Sequence, residues 1–341
     1  MVSAEATRLH GMGLSGDCGR PFLVLALEGG GYRGVFTAGV LAAIEETWGA
    51  DWTSRIGLVA GTSTGSILAA GLAAGVPAAE LARRYEEYGE AIFPPRKWPR
   101  LGLLRSRSDR RILEDRLRRT LPDIGFDETR IPLLVPVSEI GRGRPLRFRS
   151  WDRGSGERTG LVDVILAACA APSWFDPVFV AGAGLLADGG LWAHHPALIA
   201  WTEARKRNAG PAYQIRILSI GAGRSAQYYD EPPRSPVERL WLRAMGWGFG
   251  GRWRAARLVE LQTSLQSRAT LEALHEVLDD DPADPQRLLH LSFESPRLLR
   301  FDDSTTTSAL KRHAAEVFAD RRLDLARFLG PPPGNGVHPE G

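Results

Sequence analysis

Apolar and polar positions along this chain alternate between two periods. Phe22-Leu23-Val24-Leu25-Ala26-Leu27 and Ile56-Gly57-Leu58-Val59-Ala60 are short unbroken apolar runs, the length of strands covered on both faces. A helix is predicted after each, the first through about Trp48 and the second to Ala74. Pro77 to Gly89 reads as a helix with Leu81, Tyr85 and Tyr88 on one face, broken by the proline-rich stretch Phe93 to Pro99. A basic helix is predicted from Asp109 to Thr120, strands at Leu133 to Glu139, Leu146 to Ser150 and Ile215 to Ile220, and a helix at Val162 to Ala171. Apolar strands alternating with helices predict an α/β fold around a mostly parallel central sheet. Residues 224–270 carry no strand pattern and are expected to form a helical cap. Residues 1–20 and 331–341 read as flexible or disordered tails, which leaves one folded domain at 21–330. Ile56 to Ala79 is free of charge, but it is rich in Gly, Ala, Ser and Thr and divides into a buried strand, a turn and a buried helix rather than a membrane span.

The turns after the first two strands carry the candidate chemistry. Gly61-Thr62-Ser63-Thr64-Gly65 is a G-x-S-x-G directly after an apolar strand, the pattern of a nucleophile elbow, in which Gly61 and Gly65 leave room for a sharp turn that exposes the serine hydroxyl. Glu28-Gly29-Gly30-Gly31-Tyr32-Arg33-Gly34 follows the first strand. Its glycines present a row of backbone N–H groups at a helix start, suited to a developing oxyanion. Together the motifs point to acyl transfer. A competing reading exists: Gly29, Gly31 and Gly34 also fit G-x-G-x-x-G with Asp51 about 20 residues on, the fingerprint of a dinucleotide-binding module. That reading leaves Ser63 unexplained, and Asp51 lies in Trp48-Gly49-Ala50-Asp51-Trp52, which does not resemble a strand end.

A third motif, Leu185-Leu186-Ala187-Asp188-Gly189-Gly190, ends an apolar strand on an aspartate and two glycines. With it the chain resembles the patatin-like phospholipases, which carry a glycine-rich oxyanion loop, a G-x-S-x-G nucleophile and a D-G-G/A motif in this order. Ala168 to Pro177 and Ser219-Ile220-Gly221-Ala222-Gly223 resemble further family segments, so the likeness runs from about Phe22 to Leu329. It implies a three-layer α/β/α catalytic domain, hydrolysis of membrane phospholipid acyl esters, and a Ser63–Asp188 dyad with no cofactor and no metal. It also implies an oxyanion hole at Gly29, Gly30 and Gly31, supported by Arg33, Gly61, Gly65, Gly189 and Gly190. Leu72 to Pro77, Tyr85 to Gly89 and Ile92-Phe93-Pro94 look like bacterial anti-phage patatins, which implies a cyclic nucleotide activator. His194-His195-Pro196 departs from the Asn-Asn-Pro of many relatives, and Glu28 stands where Asp or Ser is common.

Histidine placement keeps a second enzyme reading open. A triad esterase would pair Ser63 and Asp188 with a later histidine, His290 in a strand-like segment or His275 in a helical one. No H-x-H or H-E-x-x-H spacing suggests a metal. Two cysteines, Cys18 and Cys169, exclude a disulfide framework. The first 20 residues hold Glu5, Arg8 and Asp17 and no apolar core, so a cytoplasmic protein without a signal peptide is expected. Net charge is only +3, and no nucleic acid polymer is expected as partner. Basic residues cluster nonetheless, and from Arg239 to Arg257 they interleave with Trp241, Trp247 and Trp253. Tryptophan favours the membrane interface and arginine meets lipid phosphate, so this stretch is expected to touch a bilayer or to pack as the cap.

Overall fold

The computed structural model describes residues 21–92, 106, 108–152, 159–207, 214–229, 235–245, 255–278, 287–297 and 299–333. The first half contains β1 (Phe22–Leu27), α1 (Gly34–Trp48), β2 (Ile56–Gly61), α2 (Thr64–Ala74), α3 (Ala78–Ile92), α4 (Arg110–Thr120), β3 (Leu133–Glu139), β4 (Arg144–Arg149) and α5 (Leu161–Ala168). There follow β5 (Val178–Val180), β6 (Gly184–Asp188), α6 (Ala197–Arg207), β7 (Ile215–Ile220), β8 (Arg224–Ser225), α7 (Pro236–Met245), α8 (Ala255–Leu278), β9 (Leu288–Leu291), β10 (Glu294–Ser295), α9 (Thr307–Asp320) and α10 (Arg322–Leu329).

The main sheet runs β5-β6-β3-β2-β1-β7-β9, with β4 on β3. Strands β9, β7, β1, β2 and β3 are mutually parallel, while β4, β5 and β6 add antiparallel pairs at one side. Alternation along β1 explains its apolar run. Leu23, Leu25 and Leu27 enter one core with α1, α2 and α5, and Val24 and Ala26 enter a second core with α6 and the end of α8. Helices on both faces make the three layers expected from the sequence.

Differences from the sequence reading are local. α3 continues to Ile92, past the expected Gly89. β4 begins at Arg144, because antiparallel pairing with β3 recruits polar residues: Arg144 sits opposite Glu139. α5 stops at Ala168, and the Ala170 carbonyl turns to accept the Asp188 N–H at 3.0 Å. The segment expected to lack strands contains β8, which pairs with β10. A two-residue strand has no period to read. α8 runs beyond residue 270 to Leu278, and its Leu274 and Leu278 complete the second core. Asp51 is exposed in the 3₁₀ turn Ala50–Arg55, ahead of β2 rather than at its end, so the dinucleotide fingerprint lacks its acid. The 1–20 tail, the Phe93 to Pro99 break, Trp247, Arg252, Trp253, Arg254 and the tail from residue 334 lie outside the described residues. No helix among the described residues is long and apolar enough to cross a membrane.

Leu25 is fully buried at the sheet centre. Leu25→Ala is expected to destabilise the fold by about 2–5 kcal/mol, read as a lower urea midpoint with unchanged slope.

Candidate active site

β2 ends at Gly61 and α2 starts at Thr64, so the chain reverses over two residues. Ser63 takes φ 51° and ψ −127°, a conformation that costs an L-residue about 1–3 kcal/mol. The surroundings hold it there. Thr62 N–H donates to the Leu27 carbonyl at 3.2 Å, Thr62 Oγ1 to the Ala193 carbonyl at 2.6 Å, and Gly65 N–H to the Thr62 carbonyl at 2.8 Å. A Cβ on Gly65 would stand 2.5 Å from the Leu27 oxygen, and one on Gly61 would run into the Gly65 carbonyl. Both glycines are therefore required by close backbone packing, as the elbow pattern predicts.

Ser63 and Asp188 line the same cavity, and the Ser63 side chain acts on the Asp188 carboxyl to lower its pKa. Asp188 closes β6, where its carbonyl accepts Ser138 Oγ at 2.8 Å and its Oδ1 accepts Gly190 N–H at 2.7 Å. Gly189 lies flat on the Pro136 carbonyl of β3, where a Cβ would collide. Burial pushes the Asp188 carboxyl up to about 6, against the opposing pull of Ser63 and Gly190.

The glycine loop lies beside this pair. The position of a Cβ on Gly29 falls 3.2 Å from Ser63 Cβ and 3.1 Å from His194 Cε1. Its N–H groups are not equivalent. Gly29 N–H donates to the His194 carbonyl at 3.2 Å, and Gly30 N–H to Thr64 Oγ1 at 3.2 Å. Gly31 has φ 56°, and its carbonyl accepts the Tyr85 hydroxyl. Arg33 is buried rather than solvated. Its Nε donates to the Gly30 carbonyl at 3.4 Å, and its guanidinium lies 4.3 Å over the Phe301 ring. Burial lowers its pKa, and Glu260 and Glu28 oppose that.

Thr64 was not singled out by its sequence position, although the residue after an elbow serine is a recognised oxyanion donor. As the first residue of α2 its N–H has no intrahelical acceptor, whereas Gly65 and Ser66 N–H are taken by Thr62 and Ser63 carbonyls.

The histidines are placed elsewhere. His195 Nδ1 accepts Ala197 N–H at 3.3 Å, so its Nε2–H donates to Ser219 Oγ at 2.9 Å, and the Ser219 hydroxyl donates to His290 Nδ1 at 2.9 Å. Burial holds His195 down at about 4 and His290 at about 3, so the chain of bonds is neutral near pH 7. His290 thus faces Ser219, not Ser63. His275 is exposed on α8. His194, also held down at about 4 by burial, packs between Gly29 and Gly190. Cys169 is buried beside Ser66, and burial pushes its thiol up, away from the reactive thiolate.

A cavity of about 170 Å³ opens at Ser63 and Asp188. Its walls are mostly apolar: Leu81, Tyr85, Tyr88 and Ile92 from α3, Leu113 and Leu117 from α4, and Trp174 and Phe175. α8 covers one side with Val259, Gln262 and Thr263, and its Gln266 accepts His194 N–H at 3.0 Å. Nothing local in the helical pattern of α8 marks these residues. Among the described residues no group of three or more His, Cys, Asp or Glu is placed to hold a metal ion.

The family model for patatin-like phospholipases matches residues 25–201. A cGAMP-activated phospholipase of Pseudomonas aeruginosa is 39% identical over 206 residues, 58% of this chain and 61% of that protein, so the match spans less than two thirds of that relative. A cUMP-AMP-activated phospholipase of Escherichia coli is 28% identical over 325 residues, 90% of this chain and 93% of that protein. A cGAMP-activated phospholipase of Vibrio cholerae is 32% identical over 256 residues, 67% of this chain and 71% of that protein. The glycine loop, the serine elbow and the Asp188 turn all fall within the matched residues, and the chain belongs to the patatin-like phospholipase family.

Proposed function

We propose that this protein is a serine acyl hydrolase that cleaves acyl esters of membrane phospholipids with a Ser63–Asp188 dyad. The observation that carries this is that Ser63, strained on its elbow, and the buried Asp188 carboxyl line one apolar cavity. Serine needs a base, and an ordinary aspartate is a weak one. Burial raises Asp188 toward the working pH and makes it a stronger acceptor.

Ser63 Oγ attacks the ester carbonyl carbon while its proton moves to Asp188. The carbonyl oxygen becomes an oxyanion, held by N–H groups of Gly31 and Thr64; Gly29 N–H is taken up by the His194 carbonyl and Gly30 N–H by Thr64 Oγ1, and both brace the loop instead. Asp188 returns the proton to the leaving alkoxide of the lysolipid. Water then attacks the acyl-serine, again giving its proton to Asp188, and the fatty acid leaves as Ser63 is reprotonated. The apolar walls hold the acyl chain, and each oxyanion donor lowers the barrier by about 3–4 kcal/mol. The names of the relatives support a cyclic dinucleotide as activator.

A peripheral membrane contact belongs to the same reading. On α7, Val237 (78% exposed), Leu240 (70%) and Trp241 (42%) form one outward apolar face at i, i+3, i+4 spacing, alongside exposed Arg243.

Ser63→Ala and Asp188→Asn are each expected to lower phospholipid hydrolysis about 10³-fold or more with the circular dichroism unchanged, while His290→Ala and His275→Ala keep most of it. Equal inactivity of His290→Ala and Ser63→Ala would replace the dyad with a triad. Because the base form of Asp188 is required and its pKa is about 6, the rate falls about tenfold per pH unit below that value and levels off above it. A rate unchanged down to pH 4 would remove Asp188 as the base.

For the membrane contact, Val237→Asp with Leu240→Asp is expected to weaken sedimentation with anionic vesicles several-fold. Raising salt until the Debye length falls from about 10 Å to about 3 Å should weaken it in the wild type. Sedimentation indifferent to both changes would mean that α7 does not face lipid.

A further inference from the structure

A second cleft lies on the other side of the glycine loop. It is a shallow cleft of about 30 Å³, against about 170 Å³ for the catalytic cavity. It opens between the carboxyl ends of β1 and β7 under α8. That place is a topological switch point: the chain leaves β1 toward β2 and β3 on one side and later places β7 and β9 on the other. Open α/β sheets bind ligands in the crevice formed at such a reversal.

The cleft is polar where the catalytic cavity is apolar. Its floor is Glu28, Arg33 and Glu260, all buried, and its mouth carries exposed Arg224 and Arg268. Glu260 Oε2 is buried and has no hydrogen-bond partner among the described residues, although α8 holds it against the sheet. An orphaned carboxylate oxygen in a buried position costs stability unless something outside the chain completes it. Arg224 is paired with Glu294 at 2.7 Å, which leaves Arg268 as the guanidinium the mouth offers to an anion. The cleft therefore suits a ligand that brings an anion to the mouth and an N–H donor edge to the floor. Phosphodiester and amino-purine together have that chemistry, and a half of a cyclic dinucleotide joins them. The adenylyl half is common to cyclic GMP-AMP and cyclic UMP-AMP, the activators in the names of the relatives.

The floor of this cleft is also the brace of the glycine loop. Glu28 Oε2 accepts Ala222 N–H at 3.1 Å, Arg33 Nε donates to the Gly30 carbonyl, and His194, which lines both cavities, accepts Gly29 N–H through its carbonyl. On the reading that a cyclic dinucleotide regulates this enzyme, we propose that this cleft binds its adenylyl half, with Arg268 on the phosphodiester and Glu260 on the adenine amino edge. Occupancy changes how Glu260 and Arg33 share charge, and Arg33 holds the oxyanion loop. The ligand thus reaches Ser63 through a single turn of chain, without entering the catalytic cavity.

The test is calorimetric titration of the full chain with cyclic GMP-AMP and cyclic UMP-AMP, kept separate from hydrolysis. Arg268→Ala, on the helix surface, and Glu260→Ala are each expected to weaken binding at least about tenfold, while Ser63→Ala binds as the wild type does. Unchanged affinity in both cleft variants overturns the site and leaves nucleotide regulation standing. Loss of binding in Ser63→Ala moves the ligand into the catalytic cavity and also overturns it. A wild type that hydrolyses phospholipid but binds neither nucleotide removes the regulatory reading and the site with it. If Arg268→Ala instead loses only its affinity for phosphatidylglycerol vesicles, Arg268 serves a lipid headgroup and the assignment fails.

Discussion

The close approach of the β1 and β2 ends is the constraint on which the rest of the site depends. The Leu27 carbonyl accepts Thr62 N–H and sits within 2.5 Å of where a Gly65 side chain would begin. No side chain fits between the two turns, so the glycine loop and the serine elbow are held at one distance by backbone alone. Ser63 pays for this in its unfavourable φ, and the central parallel strands, packed on both faces, supply the rigidity that keeps it there. A serine on a looser loop would relax to an ordinary conformation and turn its hydroxyl away from Asp188.

Burial then divides the titratable groups by role. The same low-polarity surroundings that raise Asp188 toward a useful base keep His194, His195 and His290 neutral. Neutral histidines act as hydrogen-bonding struts: His195 and His290 tie the turn before α6 to β7 and β9 through Ser219, and His194 spaces Gly29 from Gly190. Beside Ser63, burial raises the Asp188 carboxyl and lowers the His194 imidazole.

Much of this was legible in the order of residues. Apolar runs too short for helices located β1, β2 and β7, because strands covered on both faces admit little else, and glycine spacing located the two turns, because only glycine tolerates such contact. Asp188 stood out as a charge ending an apolar strand. These signals are local, each confined to a window of a few residues. What they did not carry was which N–H of the glycine loop is already occupied. Gly29, Gly30 and Gly31 are alike in sequence, and only His194, over 160 residues away, and Thr64 distinguish them.

The sequence alone determined the fold class, the elbow and the glycine loop, since backbone sterics and strand periodicity are written in adjacent residues. Tertiary structure decided the rest: that Arg33 is buried, that His290 serves Ser219, that α8 lines both cavities, and that Glu260 has an oxygen without a partner among the described residues at a sheet reversal. Each of these depends on which distant element covers a side chain. Burial and partner choice come from packing across the whole chain, and no window of neighbouring residues contains them.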